Sequence, residues 1–139
     1  MAAHVCPLPR GLSAVGDAQG DVLGIGASGC IVRVARVDAT GEIVAVKVRH
    51  QDSAVARVTN VVCRPHENII SVRSVMEAQG FIFEVSGIAS GGELFDVLVQ
   101  NDGLPTHTML RWFAQLCTAV AHMHKQPAAH GGLLSLIHI

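Results

Sequence analysis

Charge is scarce in this chain. Asp, Glu, Lys and Arg make up 15% of its 139 residues and leave a formal net charge of -1. A protein that grips nucleic acid through the phosphates needs an excess of cations, so that class of partner is excluded. Apolar residues are plentiful at 50%, and the mean hydropathy is +0.42. Even so, no apolar run is long enough to span a bilayer, and no membrane partner is expected. The N-terminal stretch MAAHVCPLPRGLSAVG lacks a charged region followed by an apolar core, so a signal peptide is not expected. Cys6, Cys30, Cys63 and Cys117 show no paired spacing, which points to reduced thiols in an intracellular, cytoplasmic setting. His122, His124 and His130 have no carboxylate or cysteine at ligand spacing. His122 and His124 stand two apart and so do not share a helix face; no metal site is expected.

The informative stretch is Leu23 to Lys47, LGIGASGCIVRVARVDATGEIVAVK. Gly24, Gly26 and Gly29, with Ala27 and Ser28 between them, form a turn whose backbone N–H groups can approach phosphate oxygens, because no Cβ stands in the way. Lys47 adds a compact cation with three donors. Spacing of this kind is weak evidence alone, because a tight hairpin without a ligand can have it too. The residues after Gly29 discriminate. A dinucleotide fold needs a helix there, whereas Cys30 to Val37 is β-branched and alternating, the pattern of a strand. Asp38-Ala39-Thr40-Gly41 is turn chemistry, and Ile43 to Val48 is a second β-branched run. Further on, Ile70–Met76 and Gly80–Ser86 suit a hairpin. Asn101-Asp102-Gly103 stops a short helix. Pro105 and Thr106 open a long one, on which Met109, Trp112, Phe113, Leu116, Val120 and Met123 recur at helical spacing.

A glycine turn followed by a strand ending in V-A-V-K resembles the protein kinase family. Pro65 to Ile70 (PHENII) and Ser90 to Leu98 (SGGELFDVL) extend the resemblance over roughly residues 21–133. The SGGELFD segment is similar to serine/threonine kinases of the calcium/calmodulin-dependent and AMP-activated type. The resemblance implies an α+β fold. A small lobe over 21–86 would hold a twisted antiparallel five-stranded sheet and one short helix, placed at 51–63. A hinge would follow at 87–92, and the first helices of a large lobe at 93–133. Residues 1–20 are expected to be a flexible lead-in. The resemblance further implies an ATP site. The glycines would cover the phosphates and Lys47 would contact them, while Leu23, Ile31 and Ala45 would enclose the adenine. Ser86 would line the back of the pocket. The backbone of Gly87 and Ala89 would read the adenine edge, and Glu93 would lie near the ribose or a basic substrate residue. The expected activity is transfer of the γ-phosphoryl of ATP, with Mg²⁺, to a Ser or Thr hydroxyl of a protein substrate that the sequence does not identify.

Three departures qualify that expectation. The family's catalytic loop carries H-R-D, and its Asp orients the substrate hydroxyl; here His130 is followed by Gly131 and Gly132, and glycine cannot serve as the base. The family also pairs the strand lysine with a helix glutamate, yet no Glu lies between Lys47 and Glu67, and Arg57 stands near the equivalent position. Finally, Leu134–Ile139 (LSLIHI) does not continue the motif. It reads as the translation of a common transposase adapter, so a non-native tail is expected, with the domain cut off before its metal-binding residues. The alternative is a pseudokinase that binds nucleotide or a partner as a scaffold.

Overall fold

The computed structural model describes residues 6–16, 21–25, 30–51 and 64–126. Residues 52–63 of the helix expected at 51–63, Gly26 to Gly29 of the glycine turn, and Gly131 and Gly132 lie outside the described residues. The chain divides into two compact units.

The first unit is a sheet built from β1 (Leu12–Ala14), β2 (Val22–Ile25), β3 (Ile31–Val37), β4 (Ile43–His50), β5 (Val72–Ala78) and β6 (Phe81–Gly87). The order is β1-β3-β4-β6-β5, with β2 also on β3, and every pairing is antiparallel. β1 lies along Ala35 to Val37 and β2 along Ile31 to Arg33. Both therefore occupy one edge of β3, and the sheet is five positions wide, as expected, although its first position is split into two strands.

Alternation along the strands decides what is buried. Val44, Val46 and Val48 of β4 project to one face with Ala35 of β3 and Phe83 and Val85 of β6, and these form the core. Cys6 completes this cluster, and Leu8 and Leu12 pack against it. The expectation of a flexible lead-in over 1–20 is thereby corrected in part: residues 6–14 pack on the core or form β1. A sheet face this apolar needs a cover, and the lead-in supplies one thiol and two leucines. The β5–β6 hairpin turns on Gln79 (φ 54) and Gly80 (φ 78). Two successive positive φ values make a type I′ turn, whose twist suits the strands. β5 lies two residues and β6 one residue later than the expected 70–76 and 80–86; the two-residue turn lets β5 reach Ala78.

A buried ion pair ties the N-terminal segment to the sheet. Arg33 donates from Nε to Asp21 Oδ1 at 3.2 Å and from Nη2 to Oδ2 at 2.6 Å. Its Nη1 reaches the carbonyl of Cys6 at 2.7 Å. Arg33 is 5% and Asp21 2% exposed.

The second unit holds α1 (Leu94–Gln100), α2 (Thr106–His124) and residues 64–70. α1 ends as expected, with Asp102 at φ 50 and Gly103 at φ 100. Pro105 is the residue just before α2 rather than its first turn. The segment 64–70, expected with the small lobe, belongs here. Side chains of α2, and Gln126 just beyond it, satisfy the polar groups of this segment. Gln126 Oε1 accepts from the Arg64 N–H at 2.9 Å, and His122 Nε2 donates to the Arg64 carbonyl at 3.0 Å. Asn68 donates to Thr118 Oγ1 at 3.2 Å. His66 Nδ1 accepts from the Asn68 N–H at 3.1 Å and its ring lies 4.8 Å from that of His122. Of the apolar stripe read from the sequence, Trp112, Val120 and Met123 are half-buried, whereas Met109, Phe113 and Leu116 are exposed.

Candidate nucleotide-binding face

The face of the sheet opposite the core carries the polar chemistry. On β4 it presents Ala45, Lys47 and Arg49, because these alternate with the buried valines. Strand register names their neighbours. Ala45 pairs with Ser86, Lys47 with Glu84 and Arg49 with Ile82 on β6. On β3, Val32 pairs with Lys47 and Val34 with Ala45. Ala45, Lys47 and Ser86 therefore share one face, as the two-residue spacing requires.

Ile31 does not join them. It pairs with Val48, and so lies on the opposite side from Lys47; the β3 residues beside Ala45 and Lys47 are Val32 and Val34. A one-residue offset reverses the face of every side chain in a strand. Residue types alone reveal neither the length of the glycine turn nor the point where β3 begins pairing. The signal that would have found Val32 is the β3–β4 pairing itself, counted back from Lys47.

On β2, Gly24 pairs with Val32 and Ile25 with Ile31. A register shift between Val22 and Gly24 leaves Leu23 as the extra residue, with 54% of its surface exposed. Gly24 is open as well, and a Cβ added there would meet no atom of the described residues within 4 Å. Gly87 ends β6 opposite Val44. Ala89 and Glu93 fall in the second unit, where Glu93 is the residue before α1 and makes no side-chain cap. Gly26, Ala27, Ser28 and Gly29 lie outside the described residues.

Lys47 is exposed. No hydrogen bond or ion pair holds it among the described residues. Arg49, in contrast, is 4% exposed and bonds the Glu84 carboxylate through Nη2. Cys30, 7% exposed, belongs to the same cluster. Burial pushes its thiol above the ordinary value; Lys47 and Arg49 pull the other way and Glu84 adds to the rise. Sequence reasoning singled out neither Arg49 nor Glu84, because a charged residue in a strand reads as solvated until its partner strand is known. Among the described residues, no group of three or more His, Cys, Asp or Glu side chains could hold a metal ion.

The family model for the protein kinase domain matches residues 18–133. The chain belongs to the protein kinase family. Among its relatives, CBL-interacting serine/threonine-protein kinase 7 of Arabidopsis thaliana is 33% identical over 109 residues, covering 71% of this chain and 25% of the relative. Probable serine/threonine-protein kinase fhkC of Dictyostelium discoideum is 31% identical over 123 residues, 81% of this chain and 20% of that protein. Nek3 of Mus musculus is 35% identical over 72 residues, 50% of this chain and 14% of its own length. The chain thus spans a quarter or less of these curated relatives. Among solved structures, Rad53 1-466 in complex with AMP-PNP is similar with a TM-score of 0.75, at 22% identity, over 89% of this chain and 33% of that one. This similarity confirms the kinase-like α+β fold.

Proposed function

We propose that this kinase chain binds ATP on the Lys47 face of its sheet, as part of a protein that phosphorylates Ser or Thr hydroxyls. One observation carries the reading: Lys47 is exposed and without a partner among the described residues, and it stands on that face beside the small side chains of Ala45 and Ser86. An ammonium that is open to solvent and unpaired is available to phosphate oxygens. The neighbouring Ala45 and Val32 offer an apolar surface for a flat heterocycle. Leu23 and Gly24 on β2 lead directly into the glycine turn, whose N–H groups suit phosphate. The adenine neighbour on β3 in this reading is Val32 in place of Ile31. The relatives' names, all those of protein kinases, and the AMP-PNP held by Rad53 support the same nucleotide.

Mg²⁺ would accompany the nucleotide, bound through its phosphates, as is usual for that ion. The described residues offer no protein ligand set of their own. Gly132 stands where the family has its base, so binding without phosphoryl transfer is the behaviour expected of this chain. Gly132, together with the absence of Glu between Lys47 and Glu67, favours as a second reading a pseudokinase that binds nucleotide or a partner as a scaffold. Titration with a fluorescent ATP analogue tests the common core of both readings. Saturable binding that Lys47→Met weakens about tenfold or more, the scale of one charge-assisted contact, is expected. Binding that is indifferent to Lys47→Met would refute the placement.

A further inference from the structure

A lysine that must meet phosphates at a fixed point needs something to hold it. Its four-carbon stem is flexible, and ordering it is entropically costly. The helix glutamate that does this in the family has no counterpart here: between Lys47 and Glu67 the one acid is Asp52. The sheet itself supplies another acid. Glu84 sits directly opposite Lys47 in the β4–β6 register. Directly opposed residues of an antiparallel pair share a face, with Cβ atoms about 4.5–5.5 Å apart.

Glu84 is not a loose surface carboxylate. Its side chain is 12% exposed, and Arg49 Nη2 bonds its Oε1. Oε2 has no partner among the described residues. Nor is the Arg49–Glu84 pair well built for stability. Among the described residues, Nε and Nη1 of Arg49 are buried without partners, and a buried ion pair left part-satisfied is worse for folding than two apolar side chains. A costly pair beside an unpaired lysine, with one carboxylate oxygen unengaged, makes sense if that oxygen has a task.

We propose that Glu84, clamped by Arg49, is the positioning residue for Lys47, taking its ammonium on Oε2 and presenting it to the nucleotide phosphates. The inference rests on the nucleotide reading above. It moves the counter-charge from a helix to the neighbouring strand, two residues before Ser86.

The test is a titration of the chain with a fluorescent ATP analogue and, separately, with adenosine, which has no phosphates. Glu84→Gln should weaken the ATP analogue about tenfold and leave adenosine within about twofold, because only the phosphate contact is lost. Glu84→Asp should recover part of the ATP affinity. In Lys47→Met, adding Glu84→Gln should cost nothing further, since the two act through one contact. If Glu84→Gln fails to fold because Arg49 is left buried and unpaired, Arg49→Met/Glu84→Gln removes both charges and carries the same expectation. Wild-type ATP affinity in either variant, alongside a Lys47→Met that binds weakly, overturns the proposal. So does an equal loss for ATP and adenosine, which would mark Glu84 as merely structural. A wild-type chain that binds neither ligand fails the nucleotide reading before any variant is compared.

Discussion

Arg33→Met should destabilise the sheet unit more than any surface change. Arg33 makes both bonds to the Asp21 carboxylate and one to the Cys6 carbonyl, and the Asp21 side chain has no exposed surface. Methionine fills similar space but leaves a buried carboxylate without its cation. Breaking a buried pair on one side costs about 3–5 kcal/mol, a large part of the roughly 5–15 kcal/mol that holds a domain together. With a urea dependence of about 1–3 kcal/mol per molar, the unfolding midpoint should fall by at least about 1 M. Far-UV circular dichroism is the appropriate signal, because the single tryptophan, Trp112, lies in the second unit. Asp21→Leu/Arg33→Met, which removes both charges, should recover most of the loss, since apolar replacements of a buried pair are often neutral or better. The recovery stops short by the orphaned Cys6 carbonyl. A midpoint unchanged by Arg33→Met, or a double variant as unstable as the single one, would refute the reasoning.

Phe83→Ala, at a fully buried position of the core cluster, should cost about 3–5 kcal/mol in the same urea experiment. Gly80→Val places a β-branched residue at φ 78 in a turn with open space around it. Its effect should come from backbone strain alone, of about 1–2 kcal/mol. Thiol labelling at neutral pH should modify exposed Cys117 well before buried Cys6 and Cys30; burial raises both buried thiols above the ordinary 9.0. A thiol raised in the folded state contributes stability that is fully present below its unfolded value and is lost as pH rises through the folded one. Stability should therefore fall above about pH 9, and less steeply in Cys30→Ala. An equal alkaline loss in that variant would show that Cys30 does not contribute.

Much of the fold was legible from short-range pattern. The strands β3 and β4, the turn between them, the β5–β6 hairpin and both helices follow from alternation, turn residues and helical spacing, and the kinase family follows from the motifs. What escaped depended on pairing across strands. Ile31 and Val32 are indistinguishable in sequence, and only the register with Val48 and Lys47 assigns them to opposite faces. Cys6, Leu8 and Leu12 lie in a stretch rich in Gly, Ala and Pro without a period, and they become a cover only because the valine face of β4 needs one. The run 64–70 reads as the approach to a strand, yet its hydrogen bonds go to α2 and Gln126, far along the chain. Glu84 and Arg49 read as isolated charges until the sheet sets one against the other.

Whether nucleotide occupies the Lys47 face of the sheet, and not the valine face, is tested most directly by backbone amide NMR during titration with an ATP analogue and Mg²⁺, which reads both faces at once. Saturable shifts should concentrate at Leu23, Gly24, Val32, Ala45, Lys47 and Gly87, and should be lost in Lys47→Met. Shifts centred instead on the cover of the core, at Leu8, Leu12 and Val37, or no shifts at all at saturating nucleotide, would contradict that placement.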